Sequence, residues 1–418
     1  MRTLPRMFLR GILLGLLLLL APAWGAEPTL ILVSLDAFRW DYLEKYSAEA
    51  PHLRALAADG VRAEHLVSCY PSSTFPNHYS IATGLRPEHH GIVDNHFFDP
   101  ALGAAFNYRS HECAIDGRWW GGEPIWITAV KQGRRSACMF WPGSEAEIGG
   151  VRPTFNQTFD GRLTCAQRVD GLLAWLDLPV AQRPTFCTLY FDVVDHAGHD
   201  FGPDSPETAA AVREVDAAIG RLLGGLAARG LRDTANLVII SDHGMTATVP
   251  GGCVFLDDVV DLDAVQVDFS GTQAGLRPRA GTAAELVAKI RKAPPVHARV
   301  YLREDLPERL HYRDNPRIPP VLLLADEGWE VSTRQSVASR RKPERGDHGY
   351  DPALVSMGAT FIAAGPAFRH GTVLPPFENI QVYSLLCAVL GLRPAPNDGD
   401  DRLAHRALAV PNQAAGRR

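Results

Sequence analysis

The sequence predicts an α/β protein, a three-layer αβα sandwich around a central, mostly parallel sheet, with a small lobe inserted late in the chain. Three observations carry this expectation. Short apolar, β-branched runs end in acidic residues. Amphipathic stretches of helical spacing alternate with them. A segment from about residue 250 to 345 breaks the alternation. Strands that alternate with helices call for a parallel sheet covered on both faces, and ligands gather beyond the carboxyl ends of its strands.

The first 26 residues read as an export signal, outside the fold. Arg2, Arg6 and Arg10 form a positive start, residues 11–20 are apolar, and small residues follow at Ala21, Ala23, Gly25 and Ala26. This layout predicts cleavage between residues 23 and 26 and a periplasmic or extracellular mature chain. The run is short of the roughly 20 residues a spanning helix needs, and no cysteine stands at the cleavage site to carry a lipid. Retention as an anchor is the alternative. Cleavage takes the net charge from −5 to −8, so no basic excess draws the chain to duplex nucleic acid. No later stretch is apolar enough to span a membrane.

Residues 29–34 (TLILVS) predict a buried parallel strand that delivers Asp36 at its end. Residues 185–191 (TFCTLYF) lead to Asp195 in the same way, and 236–240 (NLVII) lead to Asp242 and His243. Residues 360–364 (TFIAA) follow His348. Helices are predicted over 51–58, where Pro51 opens and Gly60 closes, over 165–176, over 206–229 with Gly230 as the stop, and over 379–390. The insertion at 250–345 carries an acidic patch, a helix near 283–292 and β-like runs at 298–302 and 321–324. The folded domain is placed at 27–405, with 406–418 as a polar tail; the chain after Asp398 is expected to be loosely held. Seven cysteines include no C-x-x-C pair, which disfavours a thiolate zinc finger, and their odd number leaves at least one thiol unpaired. The 418 residues are 46% hydrophobic and 21% charged, ample for one large core.

Chemistry concentrates in a few pieces. Asp36 follows the first strand. Asp195 and His199 are four apart in Asp-His-Ala-Gly-His. Asp242 and His243 are adjacent, and His348 lies in Gly-Asp-His-Gly. Any one of these is ordinary, since an aspartate after a strand usually caps a turn. Together they offer three carboxylates and three imidazoles, a donor set that suits two zinc ions better than calcium or magnesium. Close by in chemistry is the segment 69–78 (CYPSSTFPNH). A hydroxyl or thiol beside such metals can attack phosphorus. Cys69, Ser72, Ser73 and Thr74 all qualify, and the local sequence does not choose among them.

The motifs that carry a resemblance are residues 68–79 (SCYPSSTFPNHY), 91–95 (GIVDN), 119–126 (WWGGEPIW), 140–144 (FWPGS), 195–203, 241–245 (SDHGM) and 347–349 (DHG). In this order they resemble the nucleotide pyrophosphatase/phosphodiesterase family of the alkaline phosphatase superfamily, from about residue 30 to 390, in a compact catalytic-domain form. The resemblance implies the alkaline-phosphatase-like fold and two Zn2+ per chain. It implies one zinc on Asp195, His199 and His348, and the other on Asp36, Asp242, His243 and the Thr74 oxygen. Thr74 would be the nucleophile of a phosphothreonine intermediate, and Asn95 with the Thr74 amide would hold a phosphoryl oxygen.

The resemblance also implies a nucleotide or dinucleotide substrate, cleaved to a nucleoside 5′-monophosphate, with Phe75, Tyr108, Phe159 and Tyr190 around the base. Trp141 and Pro142 extend that wall, and Phe159 stands where many relatives have tyrosine. Three rival readings remain. A sulfatase would need arginine where Ser73 stands in its C-x-P-x-R motif. A phosphomonoesterase or choline-type diesterase would share the fold. A non-catalytic zinc protein would normally have lost a ligand or the nucleophile, and none is missing here. Asn156-Gln157-Thr158 is a glycosylation sequon that counts only on a eukaryotic secretory route. His78, four residues after Thr74, is a candidate to support the site. His89, His90, His96, His196, His297 and His370 have no assigned role.

Overall fold

The computed structural model describes residues 28–340 and 342–409. The expected export segment, 1–26, and residues 410–418 of the expected tail lie outside the described residues.

Eight strands form the central sheet: β1 (Thr29–Leu35), β2 (Val61–Ala63), β3 (Ser136–Met139), β4 (Phe155–Gln157), β5 (Phe186–Phe191), β6 (Ala235–Ile240), β7 (Phe361–Ala364) and β8 (Thr372–Leu374), in the order β8-β2-β7-β6-β1-β5-β3-β4. All run the same way except β7, which pairs antiparallel with both β6 and β2. The helices that matter here are α1 (Pro51–Asp59), α2 (Thr74–Thr83), α3 (Cys165–Leu176), α4 (Val193–Phe201), α5 (Pro206–Ala228) and α6 (Gln381–Leu390).

The strand period of two builds the layers. Along β1, Leu30 and Leu32 enter one core, while Ile31, Val33 and Leu35 enter the other. The first core is closed by Tyr79, Ile81 and Ala82 of α2 and by Val382, Leu385, Leu386 and Val389 of α6. The second is closed by Leu53 and Leu56 of α1, Val169, Leu172 and Leu176 of α3, and Val212, Val215, Ile219, Leu222 and Leu226 of α5. Every residue of β1, β5 and β6 is buried, which explains why these runs are apolar throughout instead of alternating. The αβα sandwich is therefore the observed architecture.

Between β6 and β7, residues 265–325 contribute a separate four-stranded antiparallel sheet: Val265–Phe269, Gln273–Pro278, Val321–Ala325 and Ala298–Leu302, in that spatial order. Helix Ala283–Lys292 turns Val287 and Ile290 into a small core of its own, with Leu276, Val321 and Leu323.

One sequence boundary needs correction. The chain stays packed past residue 405. Helix Arg402–Ala407 buries Leu403, Ala404 and Ala407, and Leu408 bridges to Phe368. Those apolar positions share one helical face, so the polar residues between them point outward and make the segment look like a tail. All seven cysteines are free thiols. Among the described residues no helix is long and apolar enough to cross a membrane.

Candidate active site

Three neighbouring strands deliver the acidic residues to one edge of the sheet. Asp36 leaves β1 with its amide bonded to Phe191 O at 2.9 Å, and the next residue, Ala37, turns left-handed at φ 55°. Asp242 and His243 leave β6; Asp242 Oδ1 accepts the Ala37 amide at 3.2 Å and so locks the two strand ends together. Beyond β5 the chain enters α4, whose first turn carries Asp195. His199 lies one turn on, and its Nε2 is 3.4 Å from Asp195 Oδ1. His348 arrives from the short strand Gly346–Asp347, with Nε2 at 3.6 Å from the same oxygen.

The ligand atoms fall into two groups, Asp195/His199/His348 and Asp36/Asp242/His243, each with its atoms within 4.8 Å of one another. His243 and His348 bring the groups together; their rings stack at 3.7 Å with an interplanar angle of 13°. The tautomers decide what these groups can do. His199 Nδ1 bonds Gly346 O at 3.0 Å, His243 Nδ1 bonds Gly244 O at 2.9 Å, and His348 Nδ1 bonds Ser72 O at 3.0 Å. A carbonyl only accepts, so each Nδ1 carries a proton, and each Nε2 is left to hold either a second proton or a cation. The Nε2 atoms face carboxylates: His243 Nε2 lies 3.0 Å from Asp242 Oδ2 and 3.5 Å from Asp36 Oδ1. Asp36 Oδ1, Asp195 Oδ1 and Asp242 Oδ2 are buried with no hydrogen-bond partner. Carboxylates this crowded and buried are costly unless positive charge, on the imidazoles or on a bound cation, lies among them. The residues therefore fit a pair of divalent cations.

The electrostatics point the same way. Burial, then the charges of Asp242 and Asp195, push Asp36 well above the usual carboxylate range. Burial opposes a charge on His199, yet the Asp195 carboxylate overrides it and pushes the imidazole up to about 10. Burial and the His243 charge bring His348 down to about 3. The cluster thus draws in positive charge. A third grouping, His199 with Glu344 and Asp347, is less suited to a metal, because His199 Nδ1 is already given to Gly346 O.

Thr74 opens α2, and its Oγ1 lies 3.2 Å from His243 Nε2. The segment rich in proline and serine is a helix start. Pro76 fits there because first-turn amides have no intrahelical partner. Two of the other candidate nucleophiles are turned elsewhere. Ser72 Oγ donates to Tyr350 O at 3.0 Å, and Cys69 Sγ donates to Asn379 Oδ1 at 3.2 Å, with burial pushing the thiol up to about 12. Ser73 is the N-cap residue of α2. Asn95 Oδ1 accepts the Phe75 amide at 2.9 Å, which turns its NH2 group away from that bond.

A cavity of about 770 Å³ opens over these groups; Asp36, Thr74, Asn95, His199 and His348 line its floor. Phe75, Tyr108, Phe159 and Tyr190 also line it, so every residue expected around a base reaches the same space. Phe75 and Tyr108 meet edge to face at 5.5 Å, and Phe159 packs on Phe140 at 5.1 Å while 52% exposed at the mouth. Tyr190 has a further part that the sequence did not reveal: its hydroxyl donates to Asp36 Oδ2 at 2.6 Å. His78 was also only half legible. Its Nδ1 donates to Thr74 O at 2.9 Å, Ser34 Oγ bonds its Nε2 at 2.8 Å, and its own carbonyl accepts from Trp141 Nε1 at 3.0 Å. The Thr74-x-x-x-His78 spacing was the available signal, since it places both on one helix face.

A family profile described as type I phosphodiesterase / nucleotide pyrophosphatase matches residues 30–351. The chain belongs to this phosphodiesterase family. Mouse ectonucleotide pyrophosphatase/phosphodiesterase family member 3 is 39% identical over 396 residues, covering 92% of this chain and 44% of its own length. A pyrophosphatase/phosphodiesterase of Schizosaccharomyces pombe is 41% identical over 384 residues, covering 89% of this chain and 79% of its own length. The chain therefore spans less than half the length of the mouse relative. Among solved structures, murine ectonucleotide pyrophosphatase/phosphodiesterase 5, described as an inactive threonine-to-alanine variant in complex with AMP, superposes with a TM-score of 0.85 at 32% identity, covering 91% of this chain and 100% of that one.

Proposed function

We propose that this protein hydrolyses phosphodiester or pyrophosphate bonds of nucleotides and releases a nucleoside 5′-monophosphate, with Thr74 as nucleophile. The observation that carries the reading is the meeting of three Nε2 atoms with three buried carboxylate oxygens beside one threonine hydroxyl, on the floor of an aromatic-walled cavity. Asp195, His199 and His348 would hold one zinc, and Asp36, Asp242, His243 and Thr74 Oγ1 the other. The mix of imidazole and carboxylate donors without thiolate favours zinc. Bound there, the ions would supply positive charge beside the Thr74 hydroxyl and the phosphoryl oxygens.

The protein's own groups do the rest. The Thr74 Oγ1–P bond forms as the bond from phosphorus to the leaving oxygen breaks, giving a nucleotidyl-threonine. Water then displaces Thr74 from phosphorus, so that one water is added across the cleaved bond. Asn95 Nδ2 donates to a phosphoryl oxygen, and the Thr74 amide at the first position of α2 adds the positive end of a ten-residue helix. Phe75, Tyr108, Trp141 and Phe159 offer faces for a base. Support also comes from the murine structure, where a threonine-to-alanine variant is inactive and holds AMP. The sulfatase reading loses ground, since Cys69 is buried and its thiol is committed to Asn379. Residues 1–26 support export to the periplasm or the extracellular space.

Steady-state hydrolysis of para-nitrophenyl thymidine monophosphate, para-nitrophenyl phosphate and para-nitrophenyl phosphorylcholine tests the reading. The thymidine ester is expected to have the highest kcat/KM. Phe75→Ala should raise its KM about ten-fold, with kcat changed less, as loss of one base-stacking face predicts. Preference for the monoester or the choline ester would contradict the proposal.

A further inference from the structure

Asn95 can act on a phosphoryl group only if its peptide is held still, and the hold comes from far away in sequence. Gln273 opens the strand Gln273–Pro278 of the four-stranded sheet and is buried, 3% exposed. Its Oε1 accepts from Tyr70 Oη at 2.7 Å, and its Nε2 donates to Asp94 Oδ2 at 2.8 Å across 179 residues. The two partners fix the amide's orientation, because a hydroxyl proton faces one end and a carboxylate the other. Asp94 Oδ1 accepts the His96 amide at 3.3 Å. Asn95 therefore sits inside a turn whose carboxylate is tied to the second sheet. Two further bonds pin the same strip: Tyr312 Oη donates to Val93 O at 2.7 Å, and the Tyr108 amide donates to Asn95 O at 3.1 Å.

We propose that Gln273 is a positioning residue for phosphoryl transfer: through Asp94 it fixes the turn that aims the Asn95 amide at the phosphoryl group. The inference rests on the role given to Asn95 above. A glutamine here leaves no buried partner unsatisfied, whereas leucine would orphan both the Tyr70 hydroxyl and the Asp94 carboxylate.

The test uses the full chain with zinc bound and para-nitrophenyl thymidine monophosphate as substrate. Gln273→Leu is expected to lower kcat about ten-fold with KM within about two-fold, since geometry is lost and base binding is kept. In an Asn95→Ala background the same change should cost less than about two-fold, because residues acting in series are not additive. Asp94→Asn and Gln273→Glu should each be impaired. The double variant Asp94→Asn/Gln273→Glu should recover most of the loss, since it restores the amide–carboxylate pair in reverse and keeps an acceptor for Tyr70. The inference is overturned if Gln273→Leu is folded with unchanged kcat, if its loss persists undiminished without Asn95, or if the swap does no better than the single variants. An Asn95→Ala variant of full activity would instead overturn the role of Asn95 itself, a distinguishable result.

Discussion

Thr74→Ala is expected to lower nucleotide-ester turnover by about 10⁴-fold or more, the scale on which loss of a covalent nucleophile is felt. The fold should hardly notice. Thr74 stands at the first position of α2, its hydroxyl reaches into the site, and alanine is a better helix former than threonine. Zinc content should be close to that of the parent protein, because Asp36, Asp242 and His243 still define that group without the hydroxyl. The pairing matters: activity lost with metal and melting temperature retained isolates chemistry from structure. The neighbouring hydroxyl of Ser72 offers no substitute, since it points at Tyr350 O.

Removal of metal should have the other large effect. The protein as purified is expected to contain about two zinc ions per chain by elemental analysis, and exhaustive chelation should abolish turnover. Chelation should also lower the melting temperature. Without cations, the crowded, buried carboxylates of Asp36, Asp195 and Asp242 are compensated only by whatever protons the neighbouring imidazoles carry. Each site contributes about 4 kcal/mol of stability when metal stands at a thousand-fold excess over its Kd. Added zinc should restore both activity and stability. Magnesium or calcium should restore neither fully, because the imidazole nitrogens suit them poorly.

What the sequence made legible follows from the reach of its signals. The run at 29–34 announced β1 because a strand buried on both faces is apolar along its whole length. Asp195 and His199 were legible as a pair because one helical turn links them. Asp36, Asp242 and His348 were legible only as pieces that recur at strand ends; their meeting depends on the sheet order β6-β1-β5, which no local pattern encodes. Strands β2, β4 and β8 have three residues each, too few to show a period, and went unread. The helix at Thr74 was hidden by Pro71, Pro76 and the serines, which are turn residues elsewhere and helix-start residues here. The Tyr190 bond to Asp36 and the Gln273 bond to Asp94 cross 154 and 179 residues, and only the folded chain reveals them.

The most direct measurement is rapid acid quenching during turnover of a nucleotide ester, followed by peptide mass spectrometry. The account predicts a nucleotidyl group on Thr74, formed in the parent protein and absent from Thr74→Ala. Phosphorus attached to any other side chain, or unlabelled Thr74 with Thr74→Ala still turning over at the parent rate, would contradict it.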